Sequence, residues 1–375
     1  MKTLAAVLRA VTAERPYGKS RPMQLEEVEL GAPRAGELLV RIEAAGVCHS
    51  DVSVVDGSRV RPLPMALGHE AAGVVEEIGP GVRDVKAGDH VVLTFVPSCG
   101  TCAECSSGRP ALCTPAATAN GAGTLLHGPS QIIGRDGKAI HHHLGVSAFA
   151  RHAVIARESA VVVPKDVPLQ TAALFGCAVL TGAGAVLNTA SVRPGQSVAI
   201  FGLGGVGLAS VMGALVANAW PILAVDPVPA KRELALQLGA TAVFAPEEAE
   251  KGVKDLTSGG AEVTFEAAGV PAVLEAAFRA ARRGGLTVAM GLPHPSKTVT
   301  LQALAFAGLG QALIGSYMGS SAPQRDIPRY LALWKAGRMP VDRLQSASLP
   351  LEKINEAFEH LAAGTAVRQV LLPHS

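Results

Sequence analysis

The chain is 375 residues long, more than one ordinary core accommodates, so its length alone implies two domains. Hydrophobic residues make up 49% and charged residues 17%, a balance that excludes a disordered chain. The net charge of +2 points to neither nucleic acid nor an anionic membrane as partner.

The first 45 residues alternate in strand fashion, as in Glu37-Leu38-Leu39-Val40-Arg41-Ile42, between turns marked by Pro33, Gly36 and Gly46. The apolar run Thr3–Leu8 is short for a signal peptide and reads as a first strand. Gly46-Val47-Cys48-His49-Ser50-Asp51 follows, and Gly68-His69-Glu70 answers it. Cys48 and His69, 21 positions apart, are a thiolate and an imidazole suited to a borderline-soft ion such as zinc. Asp51 is placed to orient the His69 ring, Glu70 lies next to the metal, and Ser50 offers a hydroxyl for passing on a proton. The strands continue through Ala71–Gly79 and Val91-Val92.

Cys99, Cys102, Cys105 and Cys113 then fall within fifteen residues. Four thiolates so close can close a tetrahedron around zinc and leave no open position, the mark of a structural site; an iron–sulfur cluster is the alternative. This clustering suggests metal thiolates, and so a reducing compartment, rather than a disulfide framework. Residues 114–145 are expected to form a surface loop. His141-His142-His143 cannot all chelate one ion, because neighbours on a strand point to opposite faces; His141 or His143 is expected to face a pocket.

A helix is expected from Thr171 through Leu187. Its Cys177 would alone read as a buried inert thiol, but a metal on Cys48 and His69 needs a third protein ligand. From Pro194 to Val225 no residue is charged, yet Gly202-Leu203-Gly204-Gly205-Val206-Gly207 breaks the run into strand, turn and helix rather than a membrane span. The turn lies between apolar strands, and Asp226 stands 19 residues after Gly207: the pattern of a dinucleotide site. An acid there bonds ribose hydroxyls and repels a 2′-phosphate, which favours NAD over NADP. Alternating strands and helices follow up to a last strand around Ile314–Met318, a doubly wound α/β sheet, before two helices, Gln324–Ala336 and Leu351–Ala363, and a final strand, Val370–Leu372.

Taken together, GVCHSD, GHE, the four-cysteine lobe, GLGGVG and the Cys after Phe-Gly resemble the zinc-dependent medium-chain alcohol dehydrogenases over essentially the whole chain. Gly137-Lys138, His141-His142, Leu144-Gly145, Ser147 and Phe149 resemble the horse-liver-like and glutathione-dependent formaldehyde dehydrogenase branch. The resemblance implies a GroES-like β-rich catalytic domain (1–178 and 320–375, with the zinc lobe at 99–113) around a Rossmann domain (179–319). It implies two zinc ions per subunit, a catalytic one on Cys48, His69 and Cys177 and a structural one on Cys99, Cys102, Cys105 and Cys113. Glu70, Asp51 and Ser50 would be the neighbouring acid, the orienting carboxylate and the relay hydroxyl.

The same resemblance assigns NAD to Gly202, Gly204, Gly205, Val206, Gly207 and Asp226, with Lys231 at the adenosine and His49 and Arg368 near the pyrophosphate. Phe95, His143, Leu144, Leu292, Tyr317 and Met318 would line the substrate pocket. The expected reaction is reversible hydride transfer between NAD and a hydrophobic primary alcohol or its aldehyde. The protein would be a cytoplasmic homodimer or homotetramer with no membrane or nucleic-acid partner. A glutathione-dependent formaldehyde dehydrogenase is the alternative, as is a zinc- and dinucleotide-binding protein without catalysis. Two departures from the family pattern stand out. Ser53 occupies the place where relatives often carry the last relay His, and the loop before GHE carries Arg59 and Arg61 where the formaldehyde-dehydrogenase branch is acidic.

Overall fold

The computed structural model describes residues 1–375. Two compact units divide it: Met1–Cys177 with Ala322–Pro328 and Gln345–Ser375, and Ala178–Ser321 with Arg329–Leu344. The segment Arg329–Leu344 therefore goes with the second unit, whereas the sequence reading placed everything after residue 320 with the first.

The first unit is β-rich. One five-stranded sheet closes into a barrel, joining Lys2–Leu8, Met23–Leu30, Ile132–Ile133, Ala139–His142 and Met65–Ala66. The second sheet is organised by Glu37–Val47, eleven residues long, which pairs antiparallel with Ala71–Ile78, His152–Ala156 and Arg368–Leu372. Alternate apolar residues of this strand (Leu38, Val40 and Ile42) are fully buried, which fixes its register. The last pairs, Gln369 opposite Val47 and Ala45 opposite Ala71, bring Arg368 and Glu70 to the end of the strand, where Cys48 begins.

The second unit is a six-stranded parallel sheet in the order Ala242–Phe244, Ile222–Val225, Val198–Phe201, Ala261–Glu266, Ala281–Ala289, Ala312–Gly315. This is the doubly wound arrangement, with its reversal of strand order beside Val198–Phe201. The expected strand, glycine turn and helix at 194–225 is present, the helix being Gly205–Val216.

Some local expectations are corrected. Residues 114–145 are not all loop: Thr114–Ala122 is a helix, entered by Pro115 in its first turn and ended at left-handed Gly123. Helix Pro246–Leu256, with Glu247 and Glu248 in its first turn and Lys254 in its last, and strand Gln345–Pro350 were not read from the sequence. The helical run Leu169–Thr189 is long and apolar enough to cross a membrane, but 89% of its most apolar window is buried within the protein. Two of its turns, Phe175–Val179 and Ala185–Thr189, are π-helical.

Candidate active site

Cys48 ends the central strand in extended conformation (φ −125°, ψ 152°) and caps helix His49–Val55. Asp51, at the third position of that helix, turns back to accept the Cys48 amide N–H at 3.3 Å. The same buried carboxylate accepts the Nδ1–H of His69 at 2.9 Å. This bond orients the ring and puts Nε2 3.5 Å from Cys177 Sγ, so that Nε2 is the nitrogen left to ligate a metal when the ring is neutral. His69 itself depends on Gly68, whose φ of +95° and 2.6 Å approach of a hypothetical Cβ to the Phe149 amide leave no room for a side chain. Cys177 is delivered by a π-helical turn, and Gly176 makes this possible: a Cβ there would strike the Leu93 carbonyl at 2.3 Å.

Cys48, His69 and Cys177 thus offer three ligand atoms within 4.8 Å of one another. For tetrahedral zinc with legs of roughly 2.3 Å to sulfur and 2.0–2.1 Å to nitrogen, the S···N edge is about 3.5 Å. The observed Cys177–His69 separation of 3.5 Å equals it. Three protein ligands leave one position open, as catalytic chemistry requires.

The electrostatics fit a cation. A hydrogen bond from Cys177 holds the Cys48 thiol well below the usual range, against the effect of burial and with the help of Arg368 and His69. Cys177 is raised in turn by that bond and by burial. A metal is bound by the deprotonated sulfur, which these surroundings favour at Cys48. Burial opposes charge on His69, but the Asp51 carboxylate and the Cys48 sulfur raise it well above an ordinary imidazole. Beneath the site, Arg368 Nη1 donates to Glu70 Oε2 at 2.9 Å and to the Val47 carbonyl at 3.2 Å. Both partners of this ion pair are buried, at 3% and 0% exposure.

The four-cysteine lobe is a second ligand set. Its sulfurs also lie within 4.8 Å of one another. Cys102 and Cys113 Sγ are 3.9 Å apart, against an S···S edge of about 3.8 Å for tetrahedral zinc. The amides of Cys99 and Cys102 donate to Cys113 and Cys99 sulfur at 3.3 and 3.4 Å, as around a thiolate. Backbone donation, first from Thr101, draws the Cys99 thiol down to about 6, while burial pushes Cys105 up to about 12. Four ligands close this set.

In the second unit, Gly202 turns the chain at φ +92°, and a Cβ on Gly207 would strike the Gly202 carbonyl at 1.8 Å, so helix and strand pack through glycine. Gly204 is different. It caps helix Gly205–Val216 with ordinary dihedrals, and nothing lies within 4 Å of where its Cβ would be. Open space at a helix N-terminus, bare of side chain, is a cradle for a pyrophosphate. Asp226 accepts the Leu203 amide at 2.8 Å and the Val228 amide at 2.9 Å, which ties the glycine turn to the end of the neighbouring strand.

Residues 34–165 match the alcohol dehydrogenase GroES-like domain and residues 205–336 the zinc-binding dehydrogenase domain. The chain is 40% identical to the NDMA-dependent alcohol dehydrogenase of Amycolatopsis methanolica, over 99% of each chain. It is 37% identical to the class-3 alcohol dehydrogenase of Myxine glutinosa over 94% of each. The structure of benzyl alcohol dehydrogenase from Acinetobacter calcoaceticus superposes with a TM-score of 0.92 at 32% identity, covering 99% of each chain. The chain belongs to the zinc-dependent medium-chain alcohol dehydrogenases.

In this alcohol dehydrogenase, Phe95 and His143 flank His69 edge-on, each with ring centroids 5.7 Å away. Leu144, next to His143 in sequence, is buried, with φ +50°. Of the histidine tract, His142 faces the barrel and bonds the Val154 carbonyl, while His143 faces the metal ligands, 3.5 Å from Asp51. Burial holds His142 down to about 4 and, joined by the charge of His69, holds His143 well below the ordinary value. Ser50 is half-buried and His49 exposed on the helix after Cys48. Ser53 donates its hydroxyl to the His49 carbonyl at 2.9 Å, so it supplies no base in place of the missing relay His.

Arg368, expected near the pyrophosphate, is buried, and its Nη1 donates to Glu70 and to the Val47 carbonyl. Lys231 is half-buried on the helix after Asp226. Its neighbour Arg232, not singled out in the sequence, binds the Asp226 and Pro227 carbonyls at 2.7 and 3.0 Å. Leu292 (47% exposed), half-buried Tyr317 and buried Met318 all belong to the second unit.

Proposed function

We propose that this enzyme oxidises a primary alcohol reversibly to its aldehyde with NAD, using one catalytic and one structural zinc per subunit. The observation that carries the reading is the His69 ring. Its Nδ1–H is held by Asp51, and its Nε2 completes an open three-ligand set with Cys48 and Cys177. When bound, zinc supplies Lewis acidity toward the alcohol or carbonyl oxygen and the nicotinamide supplies the hydride acceptor or donor.

The protein's own parts do the rest. Asp51 keeps His69 in the ligating tautomer and balances its charge. Ser50 Oγ accepts the proton that leaves the alcohol while passing its own on, and Ser53, whose hydroxyl donates to the His49 carbonyl, offers no base to receive it. Phe95 and His143 wall His69 and exclude solvent from it. The glycine turn and helix N-terminus hold the cofactor phosphates, with Asp226 at the ribose, which supports NAD over NADP.

Phe95 and His143 beside His69, with buried Leu144 next in sequence to His143, support a mainly apolar wall and so a hydrophobic aliphatic or aromatic alcohol as the substrate. The likeness to a benzyl alcohol dehydrogenase supports the aromatic case, and that to a class-3 enzyme supports the horse-liver-like branch. The open edge of Ala312–Gly315, with exposed Leu304, Phe306 and Ile314 nearby in sequence, supports a homo-oligomer through the second unit. Thiol ligand sets suit the reducing cytoplasm.

The test is a set of initial rates with benzyl alcohol and C2–C8 alcohols, using NAD⁺, NADP⁺ or NDMA as acceptor, together with metal analysis. NAD⁺-dependent turnover and two zinc ions per subunit are expected. Equal or better use of NADP⁺ would defeat the reading of Asp226, and turnover only with NDMA would defeat free NAD⁺ as the acceptor. A single zinc in the fully loaded protein would defeat the division into two sites.

A further inference from the structure

Two buried serines belong to neither ligand set, and both grip the turn that begins at His143. That turn, residues 143–147, is strained. Leu144, Gly145 and Ser147 stand at φ +50°, +68° and +49°, the left-handed region that only glycine enters freely. Residues with side chains persist there only where their surroundings hold them, and such strain gathers at functional sites. Within the turn, the His143 carbonyl accepts the Val146 and Ser147 amides at 3.0 and 3.1 Å. Two further holds come from side chains.

Ser147 supplies the first. Its buried hydroxyl accepts the His143 amide at 2.7 Å and donates to the Ala66 carbonyl at 2.8 Å, so it is used as acceptor and donor at once. The next two amides continue the line, Ala148 donating to Gly68 and Phe149 to Leu67 at 3.1 and 3.0 Å. The turn that carries His143 is thereby fastened to the segment that carries His69. Ser159 supplies the second hold. Its buried hydroxyl donates to the Gly145 carbonyl at 3.2 Å, while its own carbonyl accepts the Thr94 amide at 2.8 Å. The same turn is thereby fastened to the stretch that leads into Phe95.

The serines thus join the three rings of the open site, His69 with Phe95 and His143 edge-on against it. Phe95 has an anchor of its own: the Asn120 side-chain amide donates to its carbonyl at 2.8 Å, and Arg61 Nη1 donates to the Asn120 carbonyl at 3.2 Å. The His143 side chain is less tied, its Nδ1 being buried without a hydrogen bond. The place of that ring therefore follows from the backbone of the turn, and the turn from the two serines.

We propose that Ser147 and Ser159 are positioning residues: their hydroxyls fix the His143 ring relative to that of Phe95, and the gap so set limits the bulk of the carbon that bears the substrate's oxygen. Both rings stand against a ligand of the open site, so the gap bears on the reacting carbon rather than on the far end of the substrate. Held narrow, it admits the single substituent of a primary alcohol and resists the second substituent of a secondary one. This rests on the alcohol dehydrogenase reading above and names the residues that confine its substrate class.

Matched primary and secondary alcohols test it: 1-butanol against 2-butanol, and benzyl alcohol against 1-phenylethanol, with zinc content and thermal unfolding followed in every variant. The wild type is expected to favour the primary member in kcat/KM, and Ser147→Ala to cut that preference about tenfold, the lower end of what one carbon is worth in a close-fitting site. Ser147→Gly separates hydroxyl from strain, because glycine accepts φ +49° but offers no hydroxyl. It should unfold at a higher temperature than Ser147→Ala and lose as much of the preference. Ser159→Ala should act in the same direction and less, since its bond is longer. Asn355→Ala is the control: Asn355 bonds the Met23 amide and carbonyl, each at 3.0 Å, so its loss lowers stability while the preference stands. Zinc should be retained throughout. If Ser147→Ala fails to fold, Ser147→Gly and Ser159→Ala still decide. An unchanged preference in the folded serine variants, an equal fall in Asn355→Ala, loss of zinc from the open site, or a wild-type preference for the secondary members would overturn the proposal while leaving the dehydrogenase reading standing. Turnover of no member of either pair would sink both.

Discussion

The two cysteine clusters use the same ligand chemistry and are built in opposite ways. The lobe draws four thiols from residues 99–113, so a short stretch of chain assembles the set. Its cysteines are part-exposed except Cys113, and backbone amides turned to sulfur do the orienting. The open site draws Cys48, His69 and Cys177 from three segments, buries them, and orients them with side chains brought from further still. A local, closed set stabilises a loop; a non-local, open one makes the fold position three atoms and leaves a vacancy for substrate. On the proposed reading, stability and reactivity are divided between them.

The sharpest way to break this division is to remove one ligand from each. Cys48→Ala should lower kcat/KM by more than about 100-fold, the upper figure for loss of a mere outer partner, with little change in Tm. Cys113→Ser should do the reverse, lowering Tm and raising sensitivity to chelators while the protein that stays folded turns over. If Cys48→Ala unfolds the protein as readily as Cys113→Ser, the two sites are not separable.

Glu70→Gln probes the foundations of the open site. It leaves the Arg368 guanidinium buried with the Val47 carbonyl and no carboxylate. Removing one partner of a buried pair costs about 3–5 kcal/mol, so denaturant titration should show a loss of that order. A loss below 1 kcal/mol would mean that water reaches Arg368 and that the pair is not a support.

Next in size is Asp51→Asn. An Asn oxygen can still accept the His69 Nδ1–H, but the negative charge that favours a cation at Nε2 is gone. About a tenfold loss in zinc affinity and activity is expected, at the lower end of the range for outer partners. Competition with a chelator would measure it, and an unchanged affinity would show that Asp51 orients the ring and does nothing more.

What the sequence revealed follows the same local and non-local line. The lobe, the glycine turn and Asp226 were legible because their spacing along the chain is their geometry. The alternation of strands and helices likewise disclosed the doubly wound unit. Helix Thr114–Ala122 was not, since its residues (TPAATANGA) include weak helix formers and its apolar face is narrow. The ion pair of Arg368 with Glu70 joins residues 298 positions apart, and no pattern announces it. The contacts of Arg61 with Asn120, and of Asn120 with Phe95, were equally hidden. Phe95 was placed in a pocket by family likeness, and His143 by strand alternation (with His141 as the other candidate) and then by that likeness, but that each ring packs edge-on against His69 needed the fold. Nor does sequence periodicity distinguish the π-helical turn that carries Cys177 from an ordinary helical one.

The smallest expected effect returns to the lobe, where Arg109 Nη2 meets Glu104 at 2.8 Å. The pair has the sign and spacing of a support, and it lies within the closed ligand set. Yet Arg109 is 61% exposed, against 3% for Arg368 beneath the open site. In water an ion pair gains little over its solvated partners and is screened by salt, so exposed pairs contribute about 0–1 kcal/mol. Backbone bonds already fix the local turn, with the Arg109 amide donating to the Glu104 carbonyl at 2.9 Å whatever the side chains do. Glu104→Gln should therefore change the stability of the zinc-loaded protein by less than about 1 kcal/mol, and the change should vanish at high salt. Thermal unfolding at two ionic strengths measures it. A salt-insensitive loss as large as that of Glu70→Gln would mean that the lobe is held by its charges rather than by its metal, and the contrast between the two sites would fail there.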